Sequence, residues 1–368
     1  VRPITKANSG AFFGEFICPY GAFQLRLFQY VYFGISILVY LFWYIYSLFL
    51  PSCILALNLL SHPFSQNRGA PAQMAKISIQ FTLFSAFYSP LISTMTGGFL
   101  SEEGLEYDWS VAAAGVSAIE ALRTGEADVV QSTISQGFTS LNQGKEPGCV
   151  HFAQINGTDG FFITGRDADD GFNWHKLEGA DVLVHHGGQP MTMFRYACHK
   201  AGIDIDKINI IDAGNGAEMD KAFRAGRGDY IHQQGPAPQQ LQADGQGVVL
   251  AALGTPIGAC AFSSLASTQE FLGTDKAAAF TRAFARAKAY LGETPAQEIA
   301  AAQKPLFPNI DEAVLADCIA SYQKIGCWQG PIDITAQGYE AMLDIFAFDG
   351  KLKSRHAFDK ICVAAPAH

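Results

Sequence analysis

One segment of this chain occurs twice, and that repeat limits the available folds more than any other feature. Glu120-Ala-Leu-Arg-Thr-Gly-Glu-Ala-Asp-Val-Val-Gln-Ser132 returns as Lys221-Ala-Phe-Arg-Ala-Gly-Arg-Gly-Asp-Tyr-Ile-His-Gln233. Ala121, Arg123, Gly125 and Asp128 fall in register with Ala222, Arg224, Gly226 and Asp229. Each copy reads as a helix, a glycine stop, an acidic turn and a short buried strand. Both strands run into polar loops, Gln131-Ser132-Thr133 and His232-Gln233-Gln234. Ligands of open α/β sheets bind beyond the carboxyl ends of the strands, so two such units predict two sheets facing one cleft. A generic helix–turn–strand unit seen twice is the plainer alternative, and four matches in thirteen positions do not exclude it.

The remaining pattern agrees with an α/β protein. Ile77-Ser-Ile-Gln-Phe-Thr-Leu83 alternates apolar and polar residues, the period of a half-buried strand. Ser85 to Pro90 leads into a helical stretch ending near Gly97-Gly98, and Ser117 to Arg123 forms a helix before the strand at Asp128-Val-Val130. Leu177 to Val184 reads as a strand, followed by His185-His-Gly-Gly-Gln-Pro190. Pro190 suits the first turn of a helix running to Gly202, whose free N–H groups would hold a polar or anionic ligand group. Thr274 to Leu291 and Asp311 to Ile325 are amphipathic helices that pack the lobes. Helices alternating with short strands predict a parallel-rich sheet, and 368 residues suit two lobes.

Charge and cysteine usage narrow the function. The formal charge is −9, and an acidic surface argues against nucleic acid, whose phosphates attract basic patches. Eight cysteines at irregular spacings, with no C-x-x-C pair, read as buried or incidental thiols rather than a disulfide framework or zinc site; a single bridge stays open. Adjacent histidines on a strand point to opposite faces, so His185 and His186 are expected to divide between the cleft and a structural role. Gly214-Asn215-Gly216 lacks the glycine pattern and partner acid of a dinucleotide turn, so an N-capping loop is expected. Asp128 and Asp229 read as turn residues, and no nucleophile–base pair can be assembled from spacing.

The first 73 residues are a different kind of sequence. No Asp, Glu, Lys or Arg lies between Arg26 and Arg68, and Phe28 to Leu60 is almost continuously apolar. Tyr30 to Leu50 alone would span a hydrocarbon layer, which needs about 20 residues. Three readings stay open: an uncleaved transmembrane anchor, an unusual signal peptide cleaved near Ala70-Pro-Ala72, or an upstream extension foreign to the natural protein. A first methionine at Met74 favours the last.

At this point the sequence resembles the type 2 periplasmic solute-binding proteins of ABC importers, in the branch for sulfonates, nitrate and thiamine-pyrimidine precursors. The residues that carry the resemblance are Gly98 to Leu105, Ala118 to Asp128, Leu177-Glu-Gly179, Gly188 to Asp204, Phe262 to Leu265, Glu270-Phe-Leu272, Phe280 to Tyr290 and Tyr322 to Trp328. Their shared order spans residues 76–348. The resemblance implies an α/β, two-lobed periplasmic-binding-protein type 2 fold, with crossovers near Phe161 to Arg166 and Ala261 to Ser267, that closes on its ligand by a hinge. Lobe 1 would comprise residues 76–160 and 265–348, lobe 2 residues 166–260, with 349–368 as a tail.

The family's ligand-contact loops map onto Ser85, Phe87 and Tyr88; Ser132, Thr133 and Gln136; Gly187, Gly188, Gln189 and Thr192; Asn215; and Gln233 and Gln234. Phe84 joins the first group as a ring able to stack on a planar ligand. No Arg or Lys falls in these loops, so the expected ligand is neutral or singly charged and carries a ring, such as a pyrimidine or an aromatic acid. One branch of the family, the thiamine pyrimidine synthase, is an enzyme that consumes pyridoxal phosphate held on its own lysine, with a histidine four residues on. Ser132 and Gln136 stand at the matching positions, and no lysine occurs between Lys76 and Lys145. The expectation is therefore a binder, not an enzyme: a monomer without cofactor or metal, serving an ABC permease and ATPase. Its place is the periplasm, free or membrane-anchored, or the cytoplasm if the natural start is Met74. A membrane-tethered ligand sensor is the remaining alternative.

Overall fold

A computed structural model describes residues 74–113 and 116–368. The readings of the N-terminal apolar segment lie outside these residues. Among the described residues no helix is long and apolar enough to cross a membrane.

The chain begins with β1 (Ala75–Phe81), α1 (Ser89–Thr96), α2 (Phe99–Glu102) and β2 (Leu105–Val111). It continues through α3 (Ile119–Thr124), β3 (Val129–Ser132), α4 (Ser135–Asn142) and β4 (Val150–Asn156). A short crossover, residues 157–160, leads to β5 (Phe161–Gly165), β6 (Asp181–Leu183), α5 (Gly188–Lys200) and β7 (Asn209–Ile211). Then follow α6 (Gly216–Arg224), β8 (Tyr230–Gln234), α7 (Ala237–Ala243) and β9 (Val248–Ala252). A second crossover through α8 (Gly254–Ile257) returns to β10 (Ser263–Ser267). Five helices close the chain: α9 (Gln269–Leu272), α10 (Asp275–Glu293), α11 (Ala296–Gln303), α12 (Glu312–Ile325) and α13 (Ala336–Phe348).

The strands form two five-stranded sheets, ordered β2-β1-β3-β10-β4 and β7-β6-β8-β5-β9. The two orders are the same topology. In each sheet the strand that enters directly after a crossover, β10 or β5, runs antiparallel to both its neighbours. The pairs β1–β2, β1–β3, β6–β7 and β6–β8 are parallel. Four of the five strands in each sheet point the same way, while the ladders divide evenly into four parallel and four antiparallel pairs.

The repeated segment supplies the central strand of each sheet, and its aspartate explains why that residue recurs. Asp128 donates its N–H to the Ser78 carbonyl at 2.8 Å while its Oδ2 accepts from the Ser78 N–H at 2.9 Å. Asp229 does the same to Asp181, at 2.7 Å and 2.9 Å. Each carboxylate therefore clips the start of its central strand to the neighbouring strand. Lys276 adds a cation to the first clip, its Nζ 3.0 Å from Asp128 Oδ2. Charge-assisted hydrogen bonds contribute roughly 1.5–3 kcal/mol. Asp128→Ala should thus cost about 2 kcal/mol and Asp229→Ala, which lacks the lysine, about 1 kcal/mol. Urea midpoints measure both; equal, near-zero losses would show that the aspartates are mere turn formers.

Three sequence expectations are corrected. The crossovers are residues 157–160 and 253–262, one segment ahead of those expected, because Phe161–Gly165 and Ser263–Ser267 are themselves ladder strands. Leu177 to Val184 is strand over Asp181–Leu183 alone; Trp174–Leu177 is a 3₁₀ turn capped by Asn173. Residues 349–368 do not trail away: Ile361 and Cys362 are buried, and Cys362 bridges His151 beside β4. The six described cysteines are all free and buried.

The crossovers pack against each other. Cys260 N donates to Gly157 O at 2.9 Å, and Thr158 Oγ1 donates to Gly258 O at 2.8 Å. A Cβ on Gly254 would stand 2.6 Å from Asp159 O, so glycine is required there by contact rather than by conformation. An aromatic cluster packs against this double connection, with the Phe87 ring 5.3 Å from Phe262 and 5.0 Å from Tyr322.

Candidate functional site

A cavity of about 210 Å³ opens between the two sheets at the carboxyl ends of their central strands. Lobe 1 contributes Thr82, Leu83 and Tyr88 beyond β1, and Gln131, Ser132, Thr133 and Gln136 at the end of β3 and the start of α4. Lobe 2 contributes Phe161 from β5, Gln189 and Pro190 from the first turn of α5, and Gln234 from the end of β8. Phe262 at the end of the return crossover and Ser263 at the start of β10 complete the lining. No Asp, Glu, Lys, Arg or His is among them.

Polar contacts fix much of this wall. Gln131 Oε1 accepts from the Thr82 and Leu83 N–H groups at 3.1 and 3.2 Å, while Thr82 Oγ1 donates to Gln131 O at 2.7 Å. That amide shapes the loop after β1. Gln136 Oε1 accepts from Ser117 Oγ at 3.2 Å. Gln189 spans the lobes: its Oε1 accepts from Thr133 Oγ1 at 2.5 Å and Ser135 Oγ at 2.8 Å, and its Nε2 donates to Phe262 O at 2.8 Å. Gln234 Nε2 reaches Tyr88 Oη at the 3.5 Å limit of a hydrogen bond. Two polar atoms of the lining, Ser132 Oγ and Gln234 Oε1, are buried without a partner. Burial pushes the Tyr88 phenol up to about 12, so it stays neutral.

The cavity brings together six of the residues expected from sequence: Tyr88, Ser132, Thr133, Gln136, Gln189 and Gln234. Others lie outside the lining. Phe84 packs between Trp109 and Phe307, at 4.8 and 4.9 Å, and Phe87 is wholly buried in the crossover cluster. Of the expected ring-stacking trio, Tyr88 alone lines the cleft. Ser85 caps the 3₁₀ turn at Phe87 N and donates to Gly235 O across the lobes at 2.6 Å. Gly187 and Gly188 form the backbone entry to α5, and Thr192 Oγ1 donates to Asp349 Oδ2 at 2.7 Å. Asn215 N-caps α6 in a capping box, the role expected for its loop. Gln233 alternates to the other face of β8 from Gln234.

His185 and His186 follow β6 in a loop, so strand alternation does not govern them, and neither lines the cavity. His186 Nδ1 lies 2.8 Å from Val184 O. Among the described residues no group of His, Cys, Asp or Glu is arranged to hold a metal. Thr82, Leu83, Phe161, Phe262 and Ser263 were not expected from sequence, whereas Gln131 and Pro190 lie in loops that were. Phe161 and Phe262 had a signal, since both flank the true crossovers; the others had none beyond proximity to strand ends.

Comparison with known proteins assigns the chain to a family. The family model described as NMT1/THI5 like matches residues 87–298. The chain belongs to that family. YtlA of Bacillus subtilis (strain 168), described provisionally as a binding protein, is 26% identical over 292 residues, covering 78% of this chain and 87% of YtlA. The alkanesulfonate-binding protein SsuA of Xanthomonas axonopodis pv. citri, bound to MOPS, superposes with a TM-score of 0.61 at 17% identity, over 80% of this chain and 100% of SsuA. The periplasmic nitrate-binding protein NrtA of Synechocystis PCC 6803 gives 0.59 at 14% identity, over 79% of this chain and 86% of NrtA. At such identities the likeness establishes the fold, the two-lobed periplasmic-binding-protein architecture. The resemblance read from the ordered sequence motifs is borne out.

Proposed function

We propose that this member of the NMT1/THI5-like family is the substrate-binding component of an ABC importer, capturing a small organic solute by closing its two lobes. The observation that carries the reading is the cavity itself. Equivalent strand ends of two sheets converge on it, and it buries Ser132 Oγ and Gln234 Oε1 without partners. A buried polar atom without a partner costs about 1–3 kcal/mol, so a bound solute that satisfies it gains that much. The alkanesulfonate- and nitrate-binding relatives support solute capture, and the periplasmic one supports the periplasm as its place; a permease and ATPase would be its partners.

The residues lining this cavity favour capture over the chemistry of the family's synthase branch. Ser132, buried at the position where that branch carries its lysine, offers a hydroxyl and no amine for pyridoxal phosphate, and no lysine lines the cleft. Gln136 in place of the histidine is held by Ser117. Capture without chemistry is the reading these residues support.

Small-angle scattering of the full chain tests it. A small-metabolite extract should compact the protein, and native mass spectrometry should then find one molecule of solute per chain. No compaction and no retained solute would sink the proposal.

A further inference from the structure

Gln189 occupies the centre of the cleft like a ligand fragment, and its surroundings define what can take its place. The Phe262 carbonyl can only accept a hydrogen bond, which fixes the amide nitrogen on that side and leaves the oxygen facing the Thr133 and Ser135 hydroxyls. The slot thus pairs two donors with one acceptor, the complement of a carboxamide edge. Beside it in the same cavity sits Gln234 Oε1, a second acceptor without a partner. An oxyanion entering the slot would face two carbonyl-type oxygens, and no cation lines the cavity to offset its desolvation. Tyr88, Phe161 and Phe262 supply ring faces for the rest of the molecule.

We infer that the solute is a neutral compound with a carboxamide or lactam edge, its C=O taking the Thr133 and Ser135 hydroxyls and its N–H donating to the Phe262 carbonyl, and that it displaces the Gln189 amide on binding. This rests on the capture reading above and narrows it. Gln189 is a stand-in: it satisfies the slot and bridges the lobes until a better-fitting edge arrives. A sulfonate or nitrate, the ligands named for the structural relatives, offers acceptors alone and mismatches the Phe262 side.

The test compares benzamide, benzoate and benzenesulfonate, which share a ring and differ in head group, by calorimetric titration of the full chain. Benzamide should bind, and the other two should bind at least tenfold more weakly. Gln189→Ala, which empties the slot, should tighten benzamide about tenfold, and propionamide, the excised side chain, should raise the melting midpoint of that variant but not of the wild type. Thr133→Val, nearly isosteric, should weaken benzamide about tenfold if Gln189→Ala does not fold. Tighter binding of benzoate or benzenesulfonate overturns the inference and leaves solute capture standing. So does a failure of all three probes while extract still compacts the chain and the retained solute lacks an amide or lactam. Failure of the probes together with absence of compaction overturns both.

Discussion

Gly160→Ala will lower stability by about 3 kcal/mol. A Cβ built on Gly160 lies 2.1 Å from Phe87 Cε2, 2.4 Å from Cδ2 and 2.6 Å from Cζ. The ring cannot retreat. It is fully buried, packed on Phe262 and Tyr322, and its backbone carbonyl accepts from the Trp328 indole N–H at 3.0 Å. The clash is steric rather than conformational, since Gly160 is not among the positive-φ glycines. A second change that shortens the ring, Phe87→Leu, should therefore recover part of the loss in the double variant, though it costs stability alone. Guanidinium unfolding of the four proteins measures the cycle. A Gly160→Ala variant within about 0.5 kcal/mol of wild type would show that the crossover can move aside.

Acidification should destabilise the protein with a slope set mainly by three buried groups, with His185, whose imidazole burial also pushes down, adding in the same direction. His151 and His232 are buried, and burial pushes both imidazoles down to about 3. They are neutral when folded and take up protons near pH 6.5 when unfolded. Their contribution to stability is full above about pH 6.5 and is lost as the pH falls towards 3. Asp159, in the first crossover, behaves oppositely. Burial pushes its carboxyl up to about 7, so its contribution is full below the ordinary carboxylate range and is lost as the pH rises through 7. Between about pH 4 and 6.5, unfolding takes up two protons on the histidines and releases one from Asp159. The net uptake of one proton costs about 1.4 kcal/mol per pH unit on acidification. Glu103, held low by hydrogen bonds from Arg282 and Arg286, adds to the acid loss at the lower edge of this window, from about pH 5 downwards.

Two variants separate the groups. His232 stacks on Phe161 at 4.5 Å, and neither ring nitrogen has a partner. His232→Phe should keep the packing and flatten the profile, whereas Asp159→Asn should steepen it to about 2.7 kcal/mol per pH unit. Urea unfolding between pH 4.5 and 6.5 reads the slopes. An unchanged slope in His232→Phe would mean that this ring is protonated within the fold.

The repeat was the most legible part of the sequence, because helix, glycine and aspartate are local signals. What Asp128 and Asp229 hold was not legible, since their partners, Ser78 and Asp181, lie 50 and 48 residues away. The crossovers were misplaced for a related reason. Phe161-Phe-Ile-Thr-Gly165 is a short apolar run, and periodicity does not separate a buried strand from a buried connector at that length. Phe161 and Phe262 were consequently missed as lining residues. Phe84, Phe87 and Tyr88 are equivalent in sequence, all aromatic and all just beyond β1. Which of them faces solute and which faces core depends on Trp109, Phe307 and Tyr322, none of which is near them in the chain.

The uncharged lining has a kinetic consequence. The chain carries a formal charge of −9, yet none of the side chains around the cavity is ionic, so there is no local charge to focus an electric field on an approaching solute. Association with a neutral molecule then proceeds at the rate set by plain diffusion and lobe motion. Ions added to the medium have no steering to screen. Capture of this kind runs equally well in dilute and in saline surroundings, where a cleft built on arginine or lysine would slow as the salt rises.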